Sequence, residues 1–209
     1  MITSADIEHF KPTPPIIIGF CGAKGHGKDT AAEVLLRKYD FVKVSFADRL
    51  RKTVATALGC NEQFFLDPDK KEEIDPRTGK SRRYWLQWIG TEGFRHLWDD
   101  VWIEAWKQDV ARANHDRILV TDLRFPNEFS AISSMPNTIT IRVENPRKPV
   151  NNDAHASELH YRDFDVDFII DNASTIEVLH HSVETIMEFR GITERKKVMD
   201  YGWQPDNAA

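Results

Sequence analysis

The sequence predicts a three-layer α/β fold: a mostly parallel five-stranded sheet, covered by helices on both faces, with a helical substrate-binding or lid insertion. Three observations carry this. Continuous β-branched apolar runs recur along the chain, helix-patterned segments alternate with them, and a glycine-rich stretch joins the first run to the first helix. Strands buried on both faces read as unbroken apolar runs, and strand–helix alternation marks a parallel sheet.

Residues 1–15 are polar, carry Pro12, Pro14 and Pro15, and read as a flexible leader to a domain spanning 16–190. Ile16 to Cys21 is the first strand. Asp29 to Tyr39, with Ala31, Ala32, Val34, Leu35 and Leu36, is the first helix, and Val42 to Phe46 the second strand. Leu50, Val54 and Leu58 recur at four-residue spacing, the pattern of a helix with one buried face. An insertion is expected over about 60–113. Its periodicity fails from Cys60 to about Tyr84, and helices follow from Leu86 and from about Asp99 to Ala113. Ile118 to Thr121, Thr138 to Val143 and Phe168 to Ile170 complete the five strands. Between the last two, about 144–162 reads as a polar, lid-like loop with Pro146 and Pro149. Ser174-Thr175-Ile176-Glu177 has the form of a capping box. It opens a helix with Ile176, Leu179, Val183, Ile186 and Met187 on one side, and 191–209 is a C-terminal tail.

With 209 residues, 41% of them hydrophobic and 29% charged, the chain can bury a full core. A formal net charge of -5 argues against a duplex-DNA binder, which would carry a basic surplus. Cys21 and Cys60 are the two cysteines, without the spacing of a zinc site or a disulfide framework. Ile16 to Cys21, the longest strongly apolar stretch, is too short to span a bilayer.

Gly22-Ala23-Lys24-Gly25-His26-Gly27-Lys28 matches the GxxxxGK phosphate loop, between a predicted strand and helix as that motif requires. Glycines let successive backbone N–H groups turn toward phosphate oxygens, and the helix N-terminus adds positive potential. Lys28 would reach the β- and γ-phosphates of ATP. The next residue, ordinarily a Ser or Thr magnesium ligand, is Asp29, followed by Thr30. Which of the two meets the metal is left open. The sheet is therefore of the P-loop NTPase type.

Asp122 ends the apolar run Ile118 to Thr121, at the carboxyl edge of the sheet where ligands bind in open α/β folds. It is a candidate to hold magnesium or its water, or to cap a neighbouring helix. Arg124 would grip a substrate phosphate through its planar fork, and Glu128 would pair with that arginine, meet a sugar, or flank the helix after Pro126. No NKxD guanine motif is present, and Leu123 stands where an ATPase motor would carry a catalytic Glu. Asp-x-Arg suits a second, phosphate-bearing substrate better than attack by water.

In the insertion, Lys80-Ser81-Arg82-Arg83-Tyr84-Trp85 gathers positive charge beside aromatics. Arg82 and Arg83 are candidates to neutralise the transferring group or hold the acceptor phosphate; a solvated charged loop is the plainer alternative. Arg95 is a further candidate of the same type. Trp98, Trp102 and Trp106 recur every fourth residue, mainly as a core stripe, one of them a platform for a base. Arg142, Arg147 and Lys148 flank the polar loop, which also holds His155-Ala156-Ser157-Glu158. Asn172 edges an adenine pocket or is an ordinary turn residue.

Together GAKGHGKDT, SFADRL, SRRYWLQWIGTEGFR, DDVWIEAW and VTDLRFPNE resemble the deoxynucleoside monophosphate kinases of tailed bacteriophages. The similarity covers about Ile16 to Val143, and more weakly extends through HASE to Asn172. It implies a P-loop kinase fold, ATP and Mg2+ as cofactors, and phosphorylation of dNMPs to dNDPs. It implies ATP and magnesium roles for Lys28 and Asp29, phosphate or transition-state roles for Arg82 and Arg83, and a substrate-side role for Trp102. Asp122, Arg124 and Glu128 match the family's acidic-basic constellation. Animal-type phosphomevalonate kinases share GKD loops, and a nucleotide-binding protein without turnover is the rival of another class. The expected partners are small nucleotides in the cytoplasm (the host's, if phage-encoded), with no polymeric nucleic acid and no membrane. A homodimer is compatible with the sequence, which does not read out oligomeric state.

Overall fold

In the computed structural model, residues 14–148 and 159–195 are described. Most of the expected leader and tail, and His155 to Glu158, lie outside them. Strand β1 (Ile16–Cys21) leads through the glycine-rich loop into α1 (Lys28–Lys38), and β2 (Val42–Lys43) is followed by α2 (Ala47–Leu58). The insertion holds a short 3₁₀ turn (Glu62–Phe65), α3 (Pro68–Glu72) and the antiparallel pair β3 (Ile74–Asp75) and β4 (Lys80–Ser81). It continues into α4 (Arg82–Gln87), a π-helical stretch (Trp88–Arg95) and α5 (Val101–Ala113). Then come β5 (Arg117–Leu123), α6 (Pro126–Ser133), β6 (Thr138–Glu144), a 3₁₀ turn (His160–Asp163), β7 (Phe168–Asp171) and α7 (Ile176–Phe189).

The main sheet is parallel throughout, in the order β2-β5-β1-β6-β7. Its strands alternate between two cores, as a period of two requires. Ile18, Phe20, Ile141 and Val143 face α1 and α7 with Leu35, Leu179 and Val183. Ile17, Cys21, Ile118 and Val120 face the opposite side with Ile103, Trp106 and Ile132. A third cluster around Val54, Ala55 and Phe65, flanked by Leu50, Leu58 and Leu86, holds the insertion against α2. Cys21 and Cys60 are both free thiols.

Several expectations shift at their edges. The second strand stops at Lys43 rather than Phe46, because side chains capture the backbone beyond it. Trp106 Nε1 donates to the Val44 carbonyl (3.0 Å), the Ser45 N–H goes to Asp48 (2.8 Å), and the Phe46 and Ala47 N–H groups go to Asp122. The helix expected from Leu86 begins four residues earlier, since the Ser81 hydroxyl caps it at the Tyr84 N–H. Trp98 precedes α5 and is exposed, so the tryptophan stripe reduces to the buried Trp102 and Trp106. At α7 the cap is Thr175, accepting from the Val178 N–H, not Ser174, and Ile176 is exposed.

Candidate active site

The glycine-rich loop leaves the carboxyl end of β1 in the central position of the sheet. Two of its glycines are required by space as well as by dihedral angle. At Gly22 (φ 138°) a Cβ would run into the Val143 carbonyl, and at Gly27 (φ 97°) into the Asn172 amide. Lys28 opens α1, and its ammonium donates to the Gly22 and Ala23 carbonyls, 2.8 Å each, across the loop. His26 is buried and ties the loop to the segment after β6. Its Nδ1 accepts from the Asn145 N–H (3.3 Å), which leaves Nε2 to donate to the Lys148 carbonyl (2.9 Å). Lys148 Nζ in turn donates to the Gly25 carbonyl at 3.3 Å. Asn172 braces the loop by donating to the His26 carbonyl (3.0 Å), so it acts on the loop's shape.

Asp29 accepts from Lys43 Nζ (2.7 Å) and from the Thr121 hydroxyl (2.8 Å). Partial burial would raise its carboxyl, but Lys43, Thr121 and Lys28 outweigh it and hold the group below the usual range. Thr30 is anchored through its carbonyl, which accepts from His180 Nε2 at 2.8 Å.

Asp122 caps α2, with one oxygen accepting from the Phe46 N–H (3.2 Å) and the other from the Ala47 N–H (3.0 Å). Burial pushes its carboxyl up, while the Ala47 N–H, Arg51 and Arg124 pull it back. Of the two roles open to it in the sequence, the structure makes helix capping explicit, for a helix other than the one after Pro126.

Asp122 also lines a cavity of about 190 Å³ between the sheet edge and the insertion. Arg51, Lys71, Arg83 and Arg124 line the same space. Burial pushes the Lys71 ammonium down, and so do the charges of Arg83, Arg124, Arg51 and Lys24 around it. Arg51 pairs with Asp48, yet its buried Nε has no hydrogen-bond partner. Clustered like charges with an unsatisfied guanidinium N–H cost free energy unless an anion joins them. Glu72 links this cluster to the glycine-rich loop: it pairs with Arg83 and lies 3.9 Å from Lys24 Nζ.

The cavity's other wall comes from α4 and the π-helical stretch, through Leu86, Gln87, Gly90, Thr91 and Arg95. An α-helical repeat carried on from Gln87 and Gly90 would turn Phe94 inward. The wider π winding, an insertion typical of functional sites, turns in Arg95 instead: Arg95 is buried and Phe94 exposed. Gly90 sits so close to Leu50 that a Cβ would meet Cδ2 at 2.7 Å, and its carbonyl accepts from Trp102 Nε1 (3.0 Å). Arg95 stacks on Phe125, 3.9 Å to the ring centroid, and pairs with the buried Glu128. Glu128 also accepts from the Arg124 and Phe125 N–H groups (3.0 and 3.1 Å). Of the alternatives the sequence leaves open for Glu128, the structure shows it flanking the helix after Pro126 through these N–H groups, and its ion-pair partner is Arg95. Burial pushes the Glu128 carboxyl up to about 7, against the pull of Arg95.

Arg82 departs most from expectation. Its guanidinium donates to the Lys70 carbonyl (2.7 Å) and lies over Phe64, because the first turn of α4 points neighbouring side chains in different directions. Arg83 takes the cavity side alone. Arg142 ties the two ends of the polar loop together, donating to Glu144 (2.8 Å) and to the Arg162 and Phe164 carbonyls (3.3 and 3.1 Å). Arg51 and Lys71 join the cavity without belonging to any motif of the sequence. For Arg51 the signal is its place beside Leu50 on the amphipathic α2; Lys71 lies in the aperiodic charged stretch, where nothing marked it.

A second cavity, of about 420 Å³, borders His26 and is lined by Asn145, Lys148, Tyr161, Arg162 and Asp171. Among the described residues no group of three or more His, Cys, Asp or Glu could hold a metal, and no helix is long and apolar enough to cross a membrane.

No protein-family model matches the sequence. Among solved structures, TT1252 from Thermus thermophilus covers 85% of this chain and 98% of its own at 17% identity and a TM-score of 0.49. Shikimate kinase from Aquifex aeolicus covers 84% and 98% at 12% identity and a TM-score of 0.47. Neither likeness carries weight beyond the chain's own topology. A protein of Acanthamoeba polyphaga mimivirus named "Putative deoxynucleotide monophosphate kinase" is 30% identical over 183 residues, 80% of this chain and 94% of that protein. With a strand–loop–helix phosphate cradle in a parallel sheet and this extent of shared sequence, the chain belongs to the family of that viral kinase.

Proposed function

We propose that the protein transfers the γ-phosphate of ATP to a deoxynucleoside monophosphate, giving ADP and a dNDP. The observation that carries this reading is the cation cluster of Arg51, Lys71, Arg83 and Arg124 in one cavity, joined to the glycine-rich loop through Glu72 and Lys24. Two phosphate-binding surfaces side by side suit a donor and an acceptor that both carry phosphate. A hydrolase would need only the first.

In this reading the loop from Gly22 to Lys28 holds the ATP phosphates, and the cavity beside His26 receives the nucleoside end of ATP. The acceptor phosphate enters the cation cluster, and its base lies toward Trp102 and the π-helical wall. The acceptor oxygen is already anionic, so it attacks the γ-phosphorus without a general base; the bond to the β-phosphate oxygen breaks and ADP leaves. Lys28, Arg83 and Arg124 spread positive charge over the three phosphoryl oxygens, the dominant need in this chemistry.

Magnesium, bound with ATP, would offset charge on the phosphate oxygens. The ionised Asp29 carboxylate and Asp122 supply the hard oxygens it prefers, and one or two carboxylates with substrate phosphates are its usual protein-side complement. Arg82, by its contacts, supports the insertion.

The test is to incubate the protein with Mg-ATP and each dNMP in turn, then separate nucleotides by ion exchange. ADP and dNDP formed in equal amounts support the kinase. Acceptor-independent ADP, or none, would overturn it, and turnover of 5-phosphomevalonate instead would move the reading to another small-molecule kinase.

A further inference from the structure

Resting on the ATP-binding half of that reading, we infer that Lys43 is a positioning residue for Asp29, whose negative charge it offsets beside the ATP phosphates. A glycine-rich phosphate loop ordinarily ends on a neutral Ser or Thr hydroxyl, and here a carboxylate holds that place. An ionised side chain in the first turn of α1 repels the phosphates that the loop is shaped to hold. A cation from a neighbouring strand answers it.

The sheet's topology delivers that cation. Val42 packs among the residues on the α5 side of the sheet, so strand alternation turns the next side chain, Lys43, toward α1. Lys43 stands in register with Leu119 of β5, a member of the α1-side core, and Thr121 follows two residues on, on the same face. Lys43 Nζ (2.7 Å) and the Thr121 hydroxyl (2.8 Å) both donate to Asp29 Oδ1. Asp29 Oδ2 accepts from no other described residue, so the carboxylate is oriented through one oxygen while the second stays available to the metal that ATP brings.

The Lys43 and Asp29 side chains are 40% and 73% exposed, and an ion pair so open to water contributes little to the stability of the fold. Its consequence lies in binding. The paired groups present little net charge to the phosphates; without Lys43 the carboxylate's full charge remains. With Asp29 neutral, nothing holds the ammonium at the loop, and the long side chain turns out into water. Lys43 thus acts through Asp29.

The experiment measures the Kd for ATP by calorimetry on the full chain, in EDTA and at low salt. It compares wild type, Lys43→Met, Lys43→Arg, Asp29→Asn and the Asp29→Asn/Lys43→Met double variant. Lys43→Met is expected to raise Kd at least ~10-fold, while Lys43→Arg, which keeps the charge, stays within about threefold. In the Asp29→Asn background, Lys43→Met is expected to change Kd less than about twofold, since residues in contact do not act additively. Added salt should shrink the Lys43→Met loss, and its melting temperature should stay near wild type. An equal loss in both backgrounds overturns the inference, because Lys43 would then meet the phosphates itself. So does an unchanged Kd in Lys43→Met, or as large a loss in Lys43→Arg. Wild type that binds no ATP sinks this inference and the kinase reading together; wild type that binds ATP but phosphorylates no dNMP removes the kinase reading alone.

Discussion

In the proposed reading the glycine-rich loop and the insertion cavity both serve phosphate, yet they are built in opposite ways. The loop is a seven-residue stretch whose neighbours in space are its neighbours in sequence, apart from braces such as Asn172 and Lys148. The cavity draws Arg51 from α2, Lys71 from α3, Arg83 from α4, Arg95 from the π-helical stretch and Arg124 from the strand edge. A local cradle made of backbone N–H groups tolerates little change in glycine content. A cradle assembled from five elements tolerates change in any one of them, but depends on the packing of Leu50, Phe65 and Leu86 that brings them together.

That contrast is sharpest in what each region controls. If the loop handles the donor and the leaving of its terminal group, Lys28→Ala should depress kcat for every acceptor by roughly 10²–10³-fold, the cost of removing one preorganised charge stabiliser. The melting temperature should stay near wild type, since Lys28 is only half-buried and meets loop carbonyls. A fall confined to one acceptor, with normal turnover of the rest, would erase the division between the two regions.

Arg51→Ala should act on the other side. It removes a charged donor from the acceptor's phosphate, worth roughly 10–100-fold in the acceptor KM, with the ATP KM unchanged. Its comparison is Arg82→Ala, which the structure removes from the cavity. There the acceptor KM should stay within about twofold, and the loss of the Lys70 carbonyl contact should appear as lower thermal stability. Steady-state kinetics with ATP and dNMP varied separately, alongside thermal melts, decide between them. An acceptor KM raised equally by both changes would return Arg82 to the substrate.

The same contrast explains what could be read in advance. The sheet, its five strands and the phosphate loop follow from apolar runs and a motif with fixed spacing, both local properties. The run from Val42 to Phe46 overstates the second strand because Asp122, 76 residues from Phe46, takes its backbone N–H. Arg82 and Arg83 were indistinguishable in sequence, since adjacent helical residues diverge and only the start of α4 decides which faces the cavity. Arg95 is a candidate from the sequence, but its burial against Glu128 depends on the chain winding as a π-helix from Trp88, which neither Gly90 nor Gly93 announces. Lys71 required knowing that a short helix in an aperiodic stretch packs beside α4.

The smallest expected effect concerns Glu128, where the two regions meet through the strand end that carries Asp122 and Arg124. Burial is the main cause that lifts its carboxyl from an ordinary 4.5 to about 7, with Asp122 adding repulsion, while Arg95 and two backbone N–H groups oppose it. Between those two pH values the folded protein keeps a proton that the unfolded chain has released. The resulting stabilisation is present in full below about 4.5 and is lost as pH rises through about 7. Its upper bound is about 3 kcal/mol, at 1.36 kcal/mol per unit of pKa, and a chain of this size shifts roughly 2–4 °C per kcal/mol. Glu128→Gln cannot titrate, so its melting temperature should fall less than that of wild type between pH 4.5 and 7, by several degrees. The difference in slope isolates Glu128 from every carboxyl the two proteins share, Asp122 included. Parallel melting profiles across that window would mean that Arg95 and the backbone donors keep Glu128 ionised throughout, and that the buried pair is a fixed strut rather than a titrating one.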